Sequence, residues 1–485
     1  MRPAPPASTC TVERRGPCST PGGALLRRVV RDQLPRLLDA AEAQGRTVPG
    51  FVRRELEAFV RCGSFANGFA DLHCAACDHH RLVPFTCGGR GFCPSCGGRR
   101  MAERARHLVE RVLPVGVPIR QVVLTLPWRL RPLLAHRHDL CRGVLKVFLR
   151  AVFGWYRRRA RRALGVRGAR CGAVTVIQRF GGALNLNVHF HSLLPDGVFV
   201  RDEALGRVRF VRVPAPTTEE VERLVEQVAS RVTRWLAKRG FAEDEPAVED
   251  NPDDAGLLLQ AASAAGRAAL GKRAGRRAQR IRTVAGRVVR LPPRCAAVDG
   301  YNVHAGVVVD GHDEEAVERL CRYVCRPALA KSRFEEAPGG GVVLRFKRPW
   351  SDGTTGLRLT DLELVQRLAA LVPPPHANMV LYHGVFGPSA AWRDEVAPTV
   401  PEPEPSRGRL TKRSTRARSD RARRRWPWSD LLWHVFGVDG FQCPRCGGSM
   451  VVRAVIIHPP ATLRVLGGLD RAAARAPPEG DAQAA

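Results

Sequence analysis

Two CxxC knuckles, Cys74-Ala-Ala-Cys77 and Cys93-Pro-Ser-Cys96, have fifteen residues between them and constrain the fold more than any other feature of the chain. Each knuckle offers two thiolates, and four sulfurs close a tetrahedron around Zn²⁺. The spacing therefore predicts one structural zinc site built from Cys74, Cys77, Cys93 and Cys96. Four thiolates leave no open position, which excludes a catalytic role for this zinc. The segment between the knuckles, with Cys87, Arg90 and Gly91, forms the ribbon. Cys62 and Cys87 are spare: they belong to a second site, replace a knuckle ligand, or are buried thiols. Six core cysteines without metal are the plainer alternative. Far downstream, Cys443-Pro-Arg-Cys446-Gly-Gly supplies half of a similar site, with His434 and His458 loosely spaced to complete it. The 15 cysteines are odd in number and clustered, and the first 23 residues lack the apolar segment of a secretory signal. Metal ligands and core thiols in a reducing cytoplasm are expected rather than disulfides.

Charge narrows the partners. The chain of 485 residues has 78 Lys and Arg against 46 Asp and Glu, a formal charge of +32, which is too basic for an ordinary metabolic enzyme. A polyanion is expected, and nucleic acid is the foremost one. With 44% apolar residues the chain can build real cores. No run approaches the length of a membrane span, so a cytoplasmic, nucleoid-associated protein is expected.

Apolar periodicity predicts helices over Leu25–Glu42, Phe51–Val60, Leu130–Leu164, Thr218–Arg239, Asp313–Arg326 and Asp361–Leu371. A further helix carries Met101, Ala105, Leu108 and Val112 and stops at Pro114. Strands are predicted over Gln121–Leu126, Ala173–Phe180, Leu184–Leu194, Tyr301–Val309 and Val342–Phe346. The pattern is α+β. It divides into a flexible leader (1–23), a helical and zinc-binding domain (24–113) and a main domain (115–395) with an insertion at about 201–295. An acidic linker, Glu243–Asp254, lies within that insertion. A basic linker (396–428) with Arg421, Arg423, Arg424 and Arg425, a small CxxC module (429–470) and a disordered tail (471–485) follow.

Two segments carry chemistry. In the first, Leu184, Leu186, Val188 and Phe190 alternate with Asn185, Asn187, His189 and His191, so a strand buries its apolar face and sets two imidazoles on the other. Rings two residues apart along a strand lie about 6 to 7 Å from each other, close enough to converge on one divalent cation. His304, on a second alternating strand, is a candidate third ligand, and Asp196 and Gln178 compete with it. Two or three ligands leave room for a phosphate oxygen, as metal-assisted phosphoryl chemistry requires. A solvated strand that happens to bear histidines is the alternative. By contrast, His136-Arg-His138 lies in a helical pattern and its rings diverge.

The second segment holds Tyr323, one of four tyrosines with Tyr156, Tyr301 and Tyr382. It sits at the rim of a helix whose apolar stripe is Val317, Leu320, Cys321 and Val324, with Arg319 and Arg326 next on the polar side. A phenol flanked by guanidinium groups is equipped to attack a phosphodiester while the arginines hold its oxygens. An ordinary boundary tyrosine is the alternative.

Taken together, the ordered segments Arg90-Gly-Phe-Cys-Pro-Ser-Cys96, Arg120-Gln-Val-Val-Leu-Thr-Leu-Pro127, Asn187-Val-His-Phe-His191, His304-Ala-Gly306, Arg322-Tyr-Val-Cys-Arg-Pro327, Pro349-Trp-Ser-Asp-Gly353, Tyr382-His-Gly384 and Cys443-Pro-Arg-Cys-Gly-Gly448 resemble the HUH-nuclease transposases of the insertion sequence 91 family. The resemblance runs from about Phe51 to Leu469. It implies a ferredoxin-like nuclease core, an antiparallel sheet with helices, beside small zinc-binding modules. It also implies His189 and His191 as ligands of Mg²⁺ or Mn²⁺, and Tyr323 as the nucleophile that forms a 5′-phosphotyrosine with single-stranded or hairpin DNA ends during rolling-circle transposition. Members with two catalytic tyrosines place them four residues apart. Arg319 stands at the earlier position here, so the chain resembles the single-tyrosine branch. A rolling-circle replication initiator or relaxase shares this chemistry, and a non-catalytic zinc-dependent DNA-binding protein is the alternative of another class.

Overall fold

The computed structural model describes residues 12–14, 21–241, 253–288, 290–398, 440–457 and 459–474. Most of the expected leader, acidic linker, basic linker and tail, together with His434 and His458, lies outside the described residues. The amino-terminal part holds β1 (Val12–Arg14), α1 (Pro21–Glu42), α2 (Gly50–Arg61), and a hairpin of β2 (Phe69–Cys74) and β3 (His79–Pro84). Helix α3 (Pro94–Arg111) begins directly on the second knuckle: Cys93 is its N-cap and Pro94 its first residue, where a missing N–H is tolerated.

Next come β4 (Ile119–Thr125), α4 (Leu130–His136) and α5 (His138–Leu164). The single helix predicted over Leu130–Leu164 is in fact two. The chain breaks at Arg137, and Asp139 in the first turn of α5 suits the positive end of a new helix. The centre of the chain continues with β5 (Gly172–Phe180), β6 (Leu186–Pro195), β7 (Gly197–Asp202), β8 (Arg207–Arg212), α6 (Thr218–Ala237), α7 (Ala255–Ala264), β9 (Gln279–Arg282), β10 (Cys295–Val298), β11 (Tyr301–Val309) and α8 (Glu314–Val324). After these lie β12 (Phe334–Glu336), β13 (Val342–Arg345), β14 (Thr354–Leu359), α9 (Asp361–Leu371), β15 (Val380–Gly384), α10 (Arg393–Val396), β16 (Met450–Ile456) and α11 (Pro459–Ala474).

The architecture is α+β with antiparallel sheets. A six-stranded sheet in the order β10-β11-β4-β6-β5-β15 is antiparallel throughout and has the histidine-bearing strand β6 near its middle. A separate four-stranded sheet, β12-β13-β14-β9, takes up the strand predicted at Val342–Phe346. The amino-terminal hairpin joins a third sheet, β1-β3-β2-β16, so the carboxyl-terminal strand pairs with the zinc hairpin.

Both faces of the central sheet are buried. Val188, Phe190, Val122, Leu124 and Tyr301 pack on one side with residues of α5, while α3 and α8 cover the other side through Ala105, Leu108, Val317, Leu320, Cys321 and Val324. Full burial of Phe190 and its apolar neighbours stabilises by about 1.5–3 kcal/mol each. A slip of one residue in β6 would exchange them with the histidines, which fixes the register. No helix among the described residues is long and apolar enough to cross a membrane.

Candidate active site and zinc centres

Alternation in β6 sets His189 and His191 on the face covered by α8. The ring centroids are 4.8 Å apart, closer than their strand spacing suggested, and both side chains are buried rather than solvated. His189 Nδ1 lies 2.8 Å from the Asn187 carbonyl; an N–H there donates to that oxygen and leaves Nε2 as the free lone pair. His191 Nδ1 lies 2.7 Å from the Gln121 amide. There the Gln121 Nε2 amide donates to Nδ1; turned by 180°, the same amide would instead accept from Nδ1–H through its oxygen and leave the ring Nε2 as the lone pair that a cation requires. Nε2 of His191 is buried and has no partner among the described residues. Burial pushes His189 down to about 4, and burial together with the nearby His189 and Arg326 pushes His191 down to about 2. Both rings are neutral at physiological pH, the state that ligates a cation.

The three candidates for a further ligand separate clearly. His304 lies opposite Val123, which lies opposite His191, so a whole strand intervenes and the gap is roughly 10 Å. No group of three close metal-ligand side chains among the described residues includes His304 with the pair. Both oxygens of Asp196 are held by Arg120 at 2.6 and 2.7 Å in a buried ion pair, and Tyr156 donates to the first of them. Gln178 lies directly opposite His189. Its Nε2 donates to the Val324 carbonyl at 2.6 Å, while its Oε1 is buried without a partner among the described residues. The structure therefore brings Gln178 to the pair, and not His304 or Asp196.

Tyr323 reaches the same place from α8. Asp313 caps that helix by accepting from the Ala316 N–H at 2.8 Å, and Pro327 follows soon after its end. The stripe of Val317, Leu320, Cys321 and Val324 is buried and leaves Tyr323 at the rim, 47% exposed. Its ring centroid is 5.8 Å from that of His191, nearly perpendicular, and the Arg326 guanidinium lies 4.3 Å from its own centroid. Arg319, expected to hold phosphate, is engaged by Glu315 at 2.9 Å and lies near Asp313 on its own helix. Arg326 is thus the arginine at the tyrosine. Tyr301 is fully buried on the opposite face of the sheet.

The cysteines divide otherwise than their spacing predicts. Cys74 and Cys77 do not meet Cys93 and Cys96. Cys62, Cys87, Cys93 and Cys96 form one quartet, and Cys74, Cys77, Cys443 and Cys446 form another. Sulfur separations are 3.6 Å (Cys62–Cys93), 3.9 Å (Cys62–Cys96) and 3.5 Å (Cys87–Cys96) in the first, and 3.5 Å (Cys74–Cys446 and Cys77–Cys443) in the second. A tetrahedron with Zn–S of about 2.3 Å has edges of roughly 3.8 Å, whereas a disulfide needs about 2 Å. Both quartets therefore fit structural Zn²⁺. In the first, the Cys62, Cys87 and Cys93 thiols converge on Cys96 and hold it far below the ordinary thiol range. The signal for the second lay in two half-sites of identical CxxC form, but nothing in the sequence between them says that they meet.

Residues 32–126 match a family model described as "Transposase zinc-binding domain", and residues 172–392 match one described as "Putative transposase". No curated protein and no solved structure matches the chain. The first match spans the whole of one cysteine quartet and half of the other, and the second spans the histidine pair and Tyr323. The chain belongs to the transposases of the insertion sequence 91 family, with an amino-terminal zinc-binding domain ahead of the transposase catalytic region.

Proposed function

We propose that this DNA transposase nicks and transfers single-stranded DNA through a 5′-phosphotyrosine on Tyr323, within a ferredoxin-like HUH nuclease core spanning 115–395. The observation that carries this reading is the placement of an exposed tyrosine 5.8 Å, ring to ring, from a buried neutral histidine whose Nε2 has no partner among the described residues. His189, His191 and Gln178 would hold Mg²⁺ or Mn²⁺, by Nε2, Nε2 and Oε1. When bound, the cation polarises a phosphoryl oxygen. Imidazole donors suit Mn²⁺ at least as well as Mg²⁺.

The chain's own residues supply the rest. The Tyr323 oxygen forms a bond to phosphorus and gives up its proton to solvent, while the bond from phosphorus to the 3′ oxygen breaks and that oxygen takes a proton as a free 3′-OH. Arg326, stacked on the attacking ring, is placed to hold the non-bridging oxygens. The phosphotyrosine keeps the bond energy for rejoining, on the single-tyrosine plan. In this reading the quartets would hold together the zinc-binding domain at 24–113 and join to it, through Cys443 and Cys446, the module at 429–470, and the basic segment at 396–428 would follow DNA. Unpaired or hairpin element ends are the preferred substrate.

The test is incubation with single-stranded DNA from the element's own ends and Mn²⁺. A protein–DNA adduct that survives denaturation is expected from the wild type and from Tyr301→Phe, and none from Tyr323→Phe at any metal concentration. An adduct retained in Tyr323→Phe, or none in the wild type with either cation, overturns the reading.

A further inference from the structure

A cleft runs between the amino-terminal zinc module and the central sheet, beginning at Arg326. Five arginines line it, Arg90, Arg100, Arg104, Arg179 and Arg326, and among the described residues no carboxylate does, although Glu55 stands behind the wall and accepts from the Gly91 N–H at 2.8 Å. They come from distant parts of the chain: Arg90 from the ribbon before Cys93, Arg100 and Arg104 from α3, Arg179 from β5, and Arg326 from beyond α8. A Zn²⁺ held by four thiolates carries a formal charge of −2, so the neighbouring Cys62 quartet and the Glu55 carboxylate together offset three of the five and still leave a surplus.

Their existing contacts are to neutral groups. Arg90 donates to the Ala377 carbonyl and Arg100 to that of Gly88. Arg179 donates to carbonyls at the carboxyl ends of α4 and α9, while its Nε is buried and unpartnered among the described residues. Arg104 has neither a hydrogen bond nor an ion pair among the described residues, although it is half-buried and burial, then Arg100 and Arg90, hold it below the ordinary guanidinium range. A desolvated cation with like charges around it and no partner is unfavourable unless an anion completes it. Phe180 lines the same cleft with the Arg326 guanidinium 5.8 Å from its centroid, a flat surface suited to stacking a base.

We propose that this cleft binds a phosphodiester of the DNA strand next to the scissile one, with Arg104 as its principal contact, so that the zinc module forms one wall of the substrate channel. The proposal rests on the nuclease reading only for which phosphate is the scissile one. The chemistry recognised is a phosphate oxyanion, and the strand is the source argued here because Arg326 is shared with Tyr323 and Phe180 offers a base platform.

The experiment uses full-length, zinc-loaded protein carrying Tyr323→Phe to prevent cleavage, and measures binding of a fluorescent single-stranded oligodeoxynucleotide across a salt series. Arg104→Gln is expected to weaken binding about tenfold or more and to lower the slope of log K against log salt by about 0.7, the share of one phosphate contact. Arg104→Lys should recover part of the affinity, and Arg345→Gln, at an arginine paired with Glu335 in the separate four-stranded sheet, should change nothing. Unchanged affinity and slope in Arg104→Gln overturns the proposal. So does loss of inorganic phosphate binding in that variant with oligonucleotide affinity intact, which marks a free-phosphate site. Should Arg104→Gln release zinc, protection of Arg104 from phenylglyoxal by the oligonucleotide, read by mass spectrometry on otherwise unaltered protein, decides the matter; no protection overturns the proposal. Failure of the adduct assay with this binding result intact would sink the nuclease reading alone.

Discussion

Gln178 keeps its amide nitrogen on the Val324 carbonyl and its oxygen buried without a partner among the described residues, at the strand position opposite His189. If that oxygen completes the cation site, Gln178→Ala should raise the Mn²⁺ concentration giving half-maximal adduct by about tenfold or more, while His304→Ala leaves it unchanged. A titration of adduct yield against Mn²⁺ separates the two, and the reverse result would restore His304. The histidine pair was legible in the sequence because alternation alone sorts the faces of a strand. His304 stood first there, with Gln178 and Asp196 as competitors, because side-chain alternation says nothing about which strands are neighbours. The order β11-β4-β6-β5 decides between them, since β5 touches β6 and β11 does not.

Arg120 of β4 ties several elements together. It grips Asp196 at the end of β6 with two hydrogen bonds and donates to the Ala305 carbonyl of β11 at 2.8 Å, with both charged side chains 2% exposed. Removing one charge strands the other, so Asp196→Asn should cost about 3–5 kcal/mol, whereas Arg120→Met with Asp196→Leu together should cost far less. Thermal or urea unfolding of the two variants checks this, and equal losses would show that the pair is not the source. Elements with strong periodicity and local signals, such as Tyr301–Val309 and Asp361–Leu371 with its Thr360 capping box, have the predicted limits. The break at Arg137 was not legible, because the apolar pattern runs on through it. The membership of β13 in a different sheet depends on long-range pairing that periodicity does not encode.

Zinc stoichiometry distinguishes the quartets observed from the single site that the knuckle spacing predicts. The full-length protein should carry two zinc ions; Cys446→Ser and Cys87→Ser should each lose a different one, and Cys74→Ser with Cys93→Ser should lose both. Metal analysis of purified variants checks this, and a double variant that loses no more than either single one would show that Cys74 and Cys93 share an ion. The partners Cys77 and Cys443 are 366 positions apart. At synthesis rates of about 5–20 residues per second, the second knuckle pair leaves the ribosome roughly 20–70 s after the first. For that interval the β2–β3 hairpin is a half-built metal site with thiols open to exchange and oxidation. A chain cut short by a frameshift or stop codon before Cys443 would already contain the histidine pair and Tyr323, yet could never close the second quartet. Such a product would lack both Cys443 and Cys446 and the β16 partner of β2, so finished and truncated chains differ in how much zinc they can hold.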